Sequence, residues 1–434
     1  MIASGFSLLQ ACSSGGGGGT TPEAVITRVS VDSNEIEATG CSGRAKLSSD
    51  GRFVVFDSDA INLIANNTNA TGDVFIRDVQ SGETTRISEA SDGTEADWVS
   101  FNVSISDDGR YIAFKSKATN LVADDTNNFD DIFLHDRNTA ETIIISRGVS
   151  GESDGDSDQP SISADGRYIV FSSFASNLVA GDTNASRDVF IYDTQAVATK
   201  ITRVSVTSAA AEANGNSFNN DPSISADGRF IVFSSQSTNL DSIATDNNGV
   251  TDVFLHDRNT GSTIRINNGI GAETDQNSGA PSISDDGKFI VYTSRATNLV
   301  VDDTNATQDI FIYDRVNITT SRVSISTDGS EGNDFSSSPS IDGNGQFIAF
   351  QSSASNLVDN DTNGFDDAYV RDRLNNQTYR VSIAIDGTES LDDSFDPALS
   401  SDGEYIAFES DAANLVSSDT NNSCDVFRVK NKSR

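Results

Sequence analysis

One unit is written seven times along this chain, and that repetition constrains its fold more than any bulk property. The tight-turn glycines Gly51, Gly109, Gly166, Gly228, Gly287, Gly345 and Gly403 recur every 57 to 62 residues. Repeats of this length signal stacked or ring-closed architectures. Each unit carries four short runs with strand character. In the third copy these are "PSIS" at 160–163, "RYIVFSS" at 167–173, "DVFIYD" at 188–193 and "ITRVSV" at 201–206. The second and third runs are apolar at every central position, as in Tyr168-Ile169-Val170-Phe171. A strand with one wet face would alternate, so these are expected to be covered on both faces. The fourth run does alternate, with Arg203 and Ser205 between Thr202, Val204 and Val206, as an outer strand should. Asp-Gly after the first run is a favoured hairpin turn. No run has the length and period of a core helix.

Four antiparallel strands per unit, covered on both faces, imply the blades of a β-propeller. A linear solenoid needs atypical capping repeats at its ends, and here the ends are complementary instead. The chain enters with a fourth-strand run, "ITRVSV" at 26–31, and leaves after a third-strand run, "DVFRV" at 425–429. Joined, they make one blade, and closure leaves no open strand edge. The expected fold is therefore all-β: a seven-bladed propeller over residues 24–434, sealed by its N-terminal strand in the last blade. Cys41, beyond the closing strand, and Cys424, in the middle loop of the same blade, emerge on one face of such a meander. They are a candidate disulfide across the seam, the alternative being two unpaired thiols.

The chain has 65 acidic and 29 basic residues, for a formal charge of −36. Nucleic acid and anionic lipid surfaces, which must be met by Lys and Arg, are disfavoured as partners. The N-terminal "MIASGFSLLQAC" resembles a bacterial lipoprotein signal, with a Leu-x-Ala-Cys motif ending at Cys12, although it lacks a Lys/Arg-rich start. On that resemblance Cys12 is the lipidation site, residues 1–23 are a signal remnant with a Gly/Ser tether, and the protein belongs to the cell envelope, at the outer membrane, in the periplasm or on the surface. The alternative is a free cysteine in a tail.

The middle loop of each unit repeats an Asp-Thr-Asn motif that runs into the third strand. Oxygen-bearing residues at relative positions 1, 3 and 7 suit Ca²⁺: Asp125, Asn127 and Asp131; Asp182, Asn184 and Asp188; Asp303, Asn305 and Asp309; Asp361, Asn363 and Asp367. Asp130 and Asp366 add a carboxylate in the second and sixth copies, which makes those two the strongest metal candidates. Position 5 is no consistent ligand, and position 12 offers no bidentate Glu. The competing reading is architectural: Asx-turns and a final Asp that satisfy the loop's own backbone. These loops share a face with the blade-to-blade crossings, one of which holds the single tryptophan, Trp98, a candidate partner contact or a packed loop residue.

The stretch "QPSISADGRYIVFSS…DVFIYD" resembles the P-x-W-S-P-D-G-K-x-I-A-F…D-I-Y-V-M-D repeat of TolB-type, WD-repeat-like β-propellers, with Ile in place of Trp and a longer middle loop. The resemblance spans about residues 24–434. It implies a propeller that acts through protein partners in the envelope. Catalysis is not expected. His135 and His256 occupy one turn position filled elsewhere by Arg77, Tyr192, Tyr313 and Arg371, so they are expected to be variable and exposed. The two hypotheses are a non-catalytic envelope scaffold, monomeric and lipid-anchored, and a Ca²⁺-dependent binder of surface glycan or matrix.

Overall fold

The apolar second and third runs become the central strands of every unit, and the rest of the fold is built around them. The computed structural model describes residues 26–149, 151–217, 222–241 and 246–434; Cys12 and the 1–23 segment lie outside them. Among the described residues, strands form seven four-stranded antiparallel sheets, and six of these are consecutive meanders. The seventh is composite: Ser394–Leu399, Tyr405–Ser410 and Asp425–Lys430 are completed by Thr27–Arg28, with Thr27 opposite Arg428 and Arg28 opposite Phe427. Cys41 and Cys424 are bonded across this seam, with Cα atoms 4.6 Å apart, and the Ser42 amide donates to the Cys424 carbonyl at 2.9 Å. The seven-bladed wheel closes by joining its two ends.

Double-sided burial has a direct cause. In blade three Phe171 faces Phe190 across the two central strands, with ring centroids 6.0 Å apart, and every blade repeats such an aromatic pair. The core lies between blades. Val55, Ile76 and Ile87 of blade one pack with Ile105, Ile112 and Phe114 of blade two. Stacked aromatics of this kind contribute roughly 0.5–1.5 kcal/mol beyond their burial.

Two local features depart from the sequence reading. The first strand of blade three begins at Ser157, three residues before the expected Pro160. Its register shifts between Asp158 and Ser161, because Gln159 adopts φ 57°. A bulge of this kind inserts an extra residue and breaks the alternation that marks a strand, so "SDQ" reads as loop. The turn histidines are the second correction. His135 and His256 are buried, not exposed, at 4% and 7%. Each Nδ1 lies 2.9 Å from a threonine hydroxyl on the outer strand, Thr142 or Thr263. That hydroxyl donates in turn to a carbonyl of the preceding crossing, Glu89 or Val206. The threonine must therefore accept from the imidazole, which assigns the proton to Nδ1. Arg77 and Arg371 make the same contact through Thr84 and Thr378. The position is a blade-to-blade latch, and burial lowers the His135 pKa to about 4.

Candidate functional site

Each letter of the Asp-Thr-Asn loop has a structural task, visible in blade six. The Thr362 amide and hydroxyl both donate to Glu389, at 2.9 and 2.7 Å. Glu389 belongs to the crossing that leaves the blade, so the loop is tied to the next connection. Asn363 accepts from the amide two residues on and donates to Asp367 and to the Ser390 carbonyl. Asp367 is fully buried and accepts from the Ser382 hydroxyl at 2.6 Å. That hydroxyl in turn accepts from the Ala368 amide.

The first Asp answers to a cation that the sequence reading did not place. Arg380, on the outer strand, lies 3.3 Å from Asp361, 2.8 Å from Asp367 and 2.8 Å from Glu389. Equivalent arginines fill the acidic cages of blades one, three, four, five and seven: Arg86, Arg203, Arg265, Arg322 and Arg28. A guanidinium presents several donors in a fixed plane, and this suits it to a group of carboxylates better than a lysine would. Arg380 stands 13 residues from Asp367, and Glu389 stands 27 from Thr362, so a window on the loop alone hides both. The signal was available: an Arg at the same place in the fourth run of six copies.

The candidate ligands are thus sorted by their neighbours. Asp182 and Asp188 gather with Glu212 closely enough to hold an ion, but Arg203 sits on all three, at 3.6, 3.5 and 2.5 Å. Asp303 and Asp309 face Arg322 at 3.8 and 3.9 Å. Asn184 and Asn305 direct their amide nitrogens, not their oxygens, toward the final Asp. Asp130 and Asp366 turn out of the cages. Asp130 pairs with Lys115 at 3.0 Å, and Asp366 accepts from Gln351 and Ser353. In blade two Asp125 feels both Asp131 and Glu152, and Ile144 takes the register position that holds arginine in the other blades. Burial, then Asp131 and Glu152, push the Asp125 carboxyl up to about 6.

The axial channel is the second feature. A cavity of about 380 Å³ runs between the first strands. The bulge residues Arg44, Asn102, Gln159, Ala280, Ser338 and Asp396 all line it, with φ between 44° and 57°. Left-handed backbone is uncommon for non-glycine residues, and its repetition here aims a side chain into the channel from each of these blades. Arg44 and Lys46 bring two cations into the channel of a protein of charge −36. Beside it, a cavity of about 320 Å³ holds Asp57 and Glu409. Burial, with Asp396 adding to it, raises Glu409 to about 7. Asp57 is likewise raised to about 7 by burial, against the pull of Arg44 2.9 Å away.

A carboxyl whose folded pKa exceeds its unfolded one binds its proton more tightly in the native state. Its stabilising contribution is complete below the unfolded pKa and is lost as pH rises through the folded value. Glu409→Gln is therefore expected to lose less stability than the wild type between pH 5 and pH 8, by on the order of 2 kcal/mol. Urea unfolding at both pH values checks it. Parallel pH profiles for the two proteins would contradict it.

The face carrying the Asp-Thr-Asn loops and crossings also exposes aromatic rings. Trp98 is 53% exposed and Phe174 50%, with Phe129 and Phe365 above one third. Trp98 lies in the crossing into blade two, Phe129 in that blade's loop, and Phe174 just beyond the second strand of blade three. The sole tryptophan is thus an open surface residue.

No protein-family model and no curated protein sequence matches the chain. Among solved structures it resembles an oligogalacturonate lyase from Vibrio parahaemolyticus, with a TM-score of 0.53 at 12% identity and 94% of each chain covered. A prolyl endopeptidase matches with a TM-score of 0.51 at 10% identity, over 86% of this chain and 46% of that one. TolB from Acinetobacter baumannii matches with a TM-score of 0.41 at 15% identity, over 78% of this chain; the match spans 62% of the TolB chain. At these identities the likeness is one of fold, and the fold is the propeller. Propellers host many unrelated functions, so function must be argued from the site.

Proposed function

We propose that the protein is a non-catalytic scaffold of the bacterial cell envelope, anchored through lipid on Cys12, that binds a protein partner on its loop face. The observation that carries this reading is the set of exposed aromatic rings on that face, Trp98, Phe129, Phe174 and Phe365. Large exposed aromatics are the residues that dominate protein interfaces. The disulfide across the seam fits an oxidising compartment. Several titratable groups that could suggest chemistry are spent on architecture: the histidines latch blades, and most loop carboxylates hold arginines. That same use of the carboxylates weighs against a propeller-wide Ca²⁺-dependent grip on glycan or matrix. The wheel acts as a monomer, and nucleic acid is not among its partners.

Crosslinking in intact envelopes, followed by purification of the adduct, tests the reading. One protein adduct is expected, and its partner should shift the Trp98 emission to the blue on binding. Trp98→Ala combined with Phe174→Ala should weaken that complex more than about tenfold. An empty crosslink, or a complex that ignores both substitutions, would overturn it.

A further inference from the structure

Blade one places a lysine where the other blades carry small residues. Lys46 of its first strand stands opposite Val55 of its second. The same register position holds Ser104, Ser161, Ser223, Ser282 and Ser340 in blades two to six, and Ala398 in blade seven. Lys46 and the five serines all line the axial cavity. Two residues earlier, Arg44 is the one cation among the bulge residues that line it. Among the described lining residues Asp396 is the one acid. In a chain of charge −36 this cavity therefore has a positive wall.

The donors on that wall are largely uncommitted. Among the described residues Lys46 makes no ion pair and no hydrogen bond. Arg44 donates through one nitrogen to Asp57, at 2.9 Å, and its side chain stays 52% exposed. Ser104, Ser223 and Ser340 accept from the amides of Ile162, Ile283 and Leu399, at 3.1, 3.3 and 3.0 Å. A hydroxyl that accepts in this way keeps its own hydrogen to give. Asp396 is already the acceptor for Ser338 at 2.7 Å. Pro160, Pro222, Pro281, Pro339 and Pro397 add apolar surface to the same cavity. Its volume of about 380 Å³ falls in the range of small-molecule sites, roughly 300–1,000 Å³.

The far end of the channel is drawn together. Beyond the first strands, backbone hydrogen bonds of 2.8 to 3.4 Å join every blade to the next. They run from the Ser49 amide to Asp107, on through Ala164, Ala226, Asp285, Asp286, Gly343 and Ser401, and from the Asp402 amide back to Ser49. The Ser401 hydroxyl donates across this ring to Asp285. A Cβ on Gly343 would come within 2.3 Å of that carboxylate, so glycine leaves the bridge its room. The cavity thus opens toward the loop face.

We propose that this cavity binds a small organic anion. Lys46, Arg44 and the serine hydroxyls hold its carboxylate or phosphoryl oxygens, and its carbon skeleton lies against the prolines. Charged donors form the strongest hydrogen bonds to such oxygens, and an apolar wall with few polar groups is the usual make-up of a ligand site. The site goes beyond the partner reading above and does not depend on it.

Isothermal titration of the full chain at low salt, with citrate and separately with glycerol 3-phosphate, tests the proposal. One saturable site per chain is expected for at least one of them, and the probe that binds assigns the anion to the carboxylate or the phosphoryl class. Inorganic sulfate, with no carbon to cover the prolines, should bind at least about tenfold more weakly. Lys46→Ser installs the residue of five sister blades, and Arg44→Gln the residue of blade three. Each should weaken binding at least about tenfold, and the second decides the matter if the first does not fold. Lys117→Ser, on an exposed lysine outside the cavity, should leave binding unchanged. The proposal is overturned if neither probe saturates a site, if sulfate binds as tightly, if full affinity survives Lys46→Ser or Arg44→Gln, or if Lys117→Ser weakens binding as much.

Discussion

Replacing Arg380 by alanine is expected to destabilise the protein by about 3–5 kcal/mol, the cost typical of removing one partner from a buried ion pair. The arginine side chain is 5% exposed and Asp367 is fully buried, while Asp361 is 5% exposed. Without the guanidinium, Asp367 and Glu389 lose the hydrogen bonds it donates, and all three carboxylates lose the charge that offsets their mutual repulsion. Burial already raises the Asp361 carboxyl, and in blade five it pushes the equivalent Asp303 up to about 6. Urea unfolding monitored by far-UV circular dichroism measures the loss. A change below about 1 kcal/mol would put the cage in the class of solvated surface pairs and remove its structural role.

The second large effect concerns the seam. Converting Cys41 and Cys424 together to serine is expected to cost about 2–5 kcal/mol, as loss of a native disulfide does in general. The bond spans a sequence separation of 383, and the closing strand it supports is only two residues long. Beyond that strand, the seam rests on the Val29 amide donating to the Val426 carbonyl at 2.7 Å, and on Ser30 and Arg28 bonded to Asp425. Hydrogen exchange should show protection falling first at Val29 and Val426, before other blades respond. Unchanged stability together with unchanged exchange at the seam would refute this.

The wheel itself was readable from the chain because its signals are local and repeated seven times. An apolar run such as Tyr168–Phe171 reports double-sided burial wherever it stands, and the split blade follows from "ITRVSV" and "DVFRV" at opposite ends. What escaped is what depends on residues far apart. The bulge at Gln159 hid the start of an inner strand, because a left-handed residue interrupts the alternation. His135 resembled a surface turn residue, since the threonine and the carbonyl that enclose it lie elsewhere in the sequence. The Asp-Thr-Asn loop fits oxygen ligands and an architectural turn equally as a local string, and Arg380 and Glu389, which pack against it, lie too far along the chain to show in it. The exchange at Ile144 carries meaning only against the six arginines in register with it.

The composite blade also orders events in time. Glu37 meets Thr420, and Cys41 meets Cys424, so the earliest described segment finds its partners only once the last blade has been made. Six sectors can assemble as they emerge, while the first strand waits with an unmatched edge and a reduced thiol. Any factor that shields nascent chain would find its longest-lived target there, and the finished circle is a checkpoint that a truncated polypeptide cannot pass.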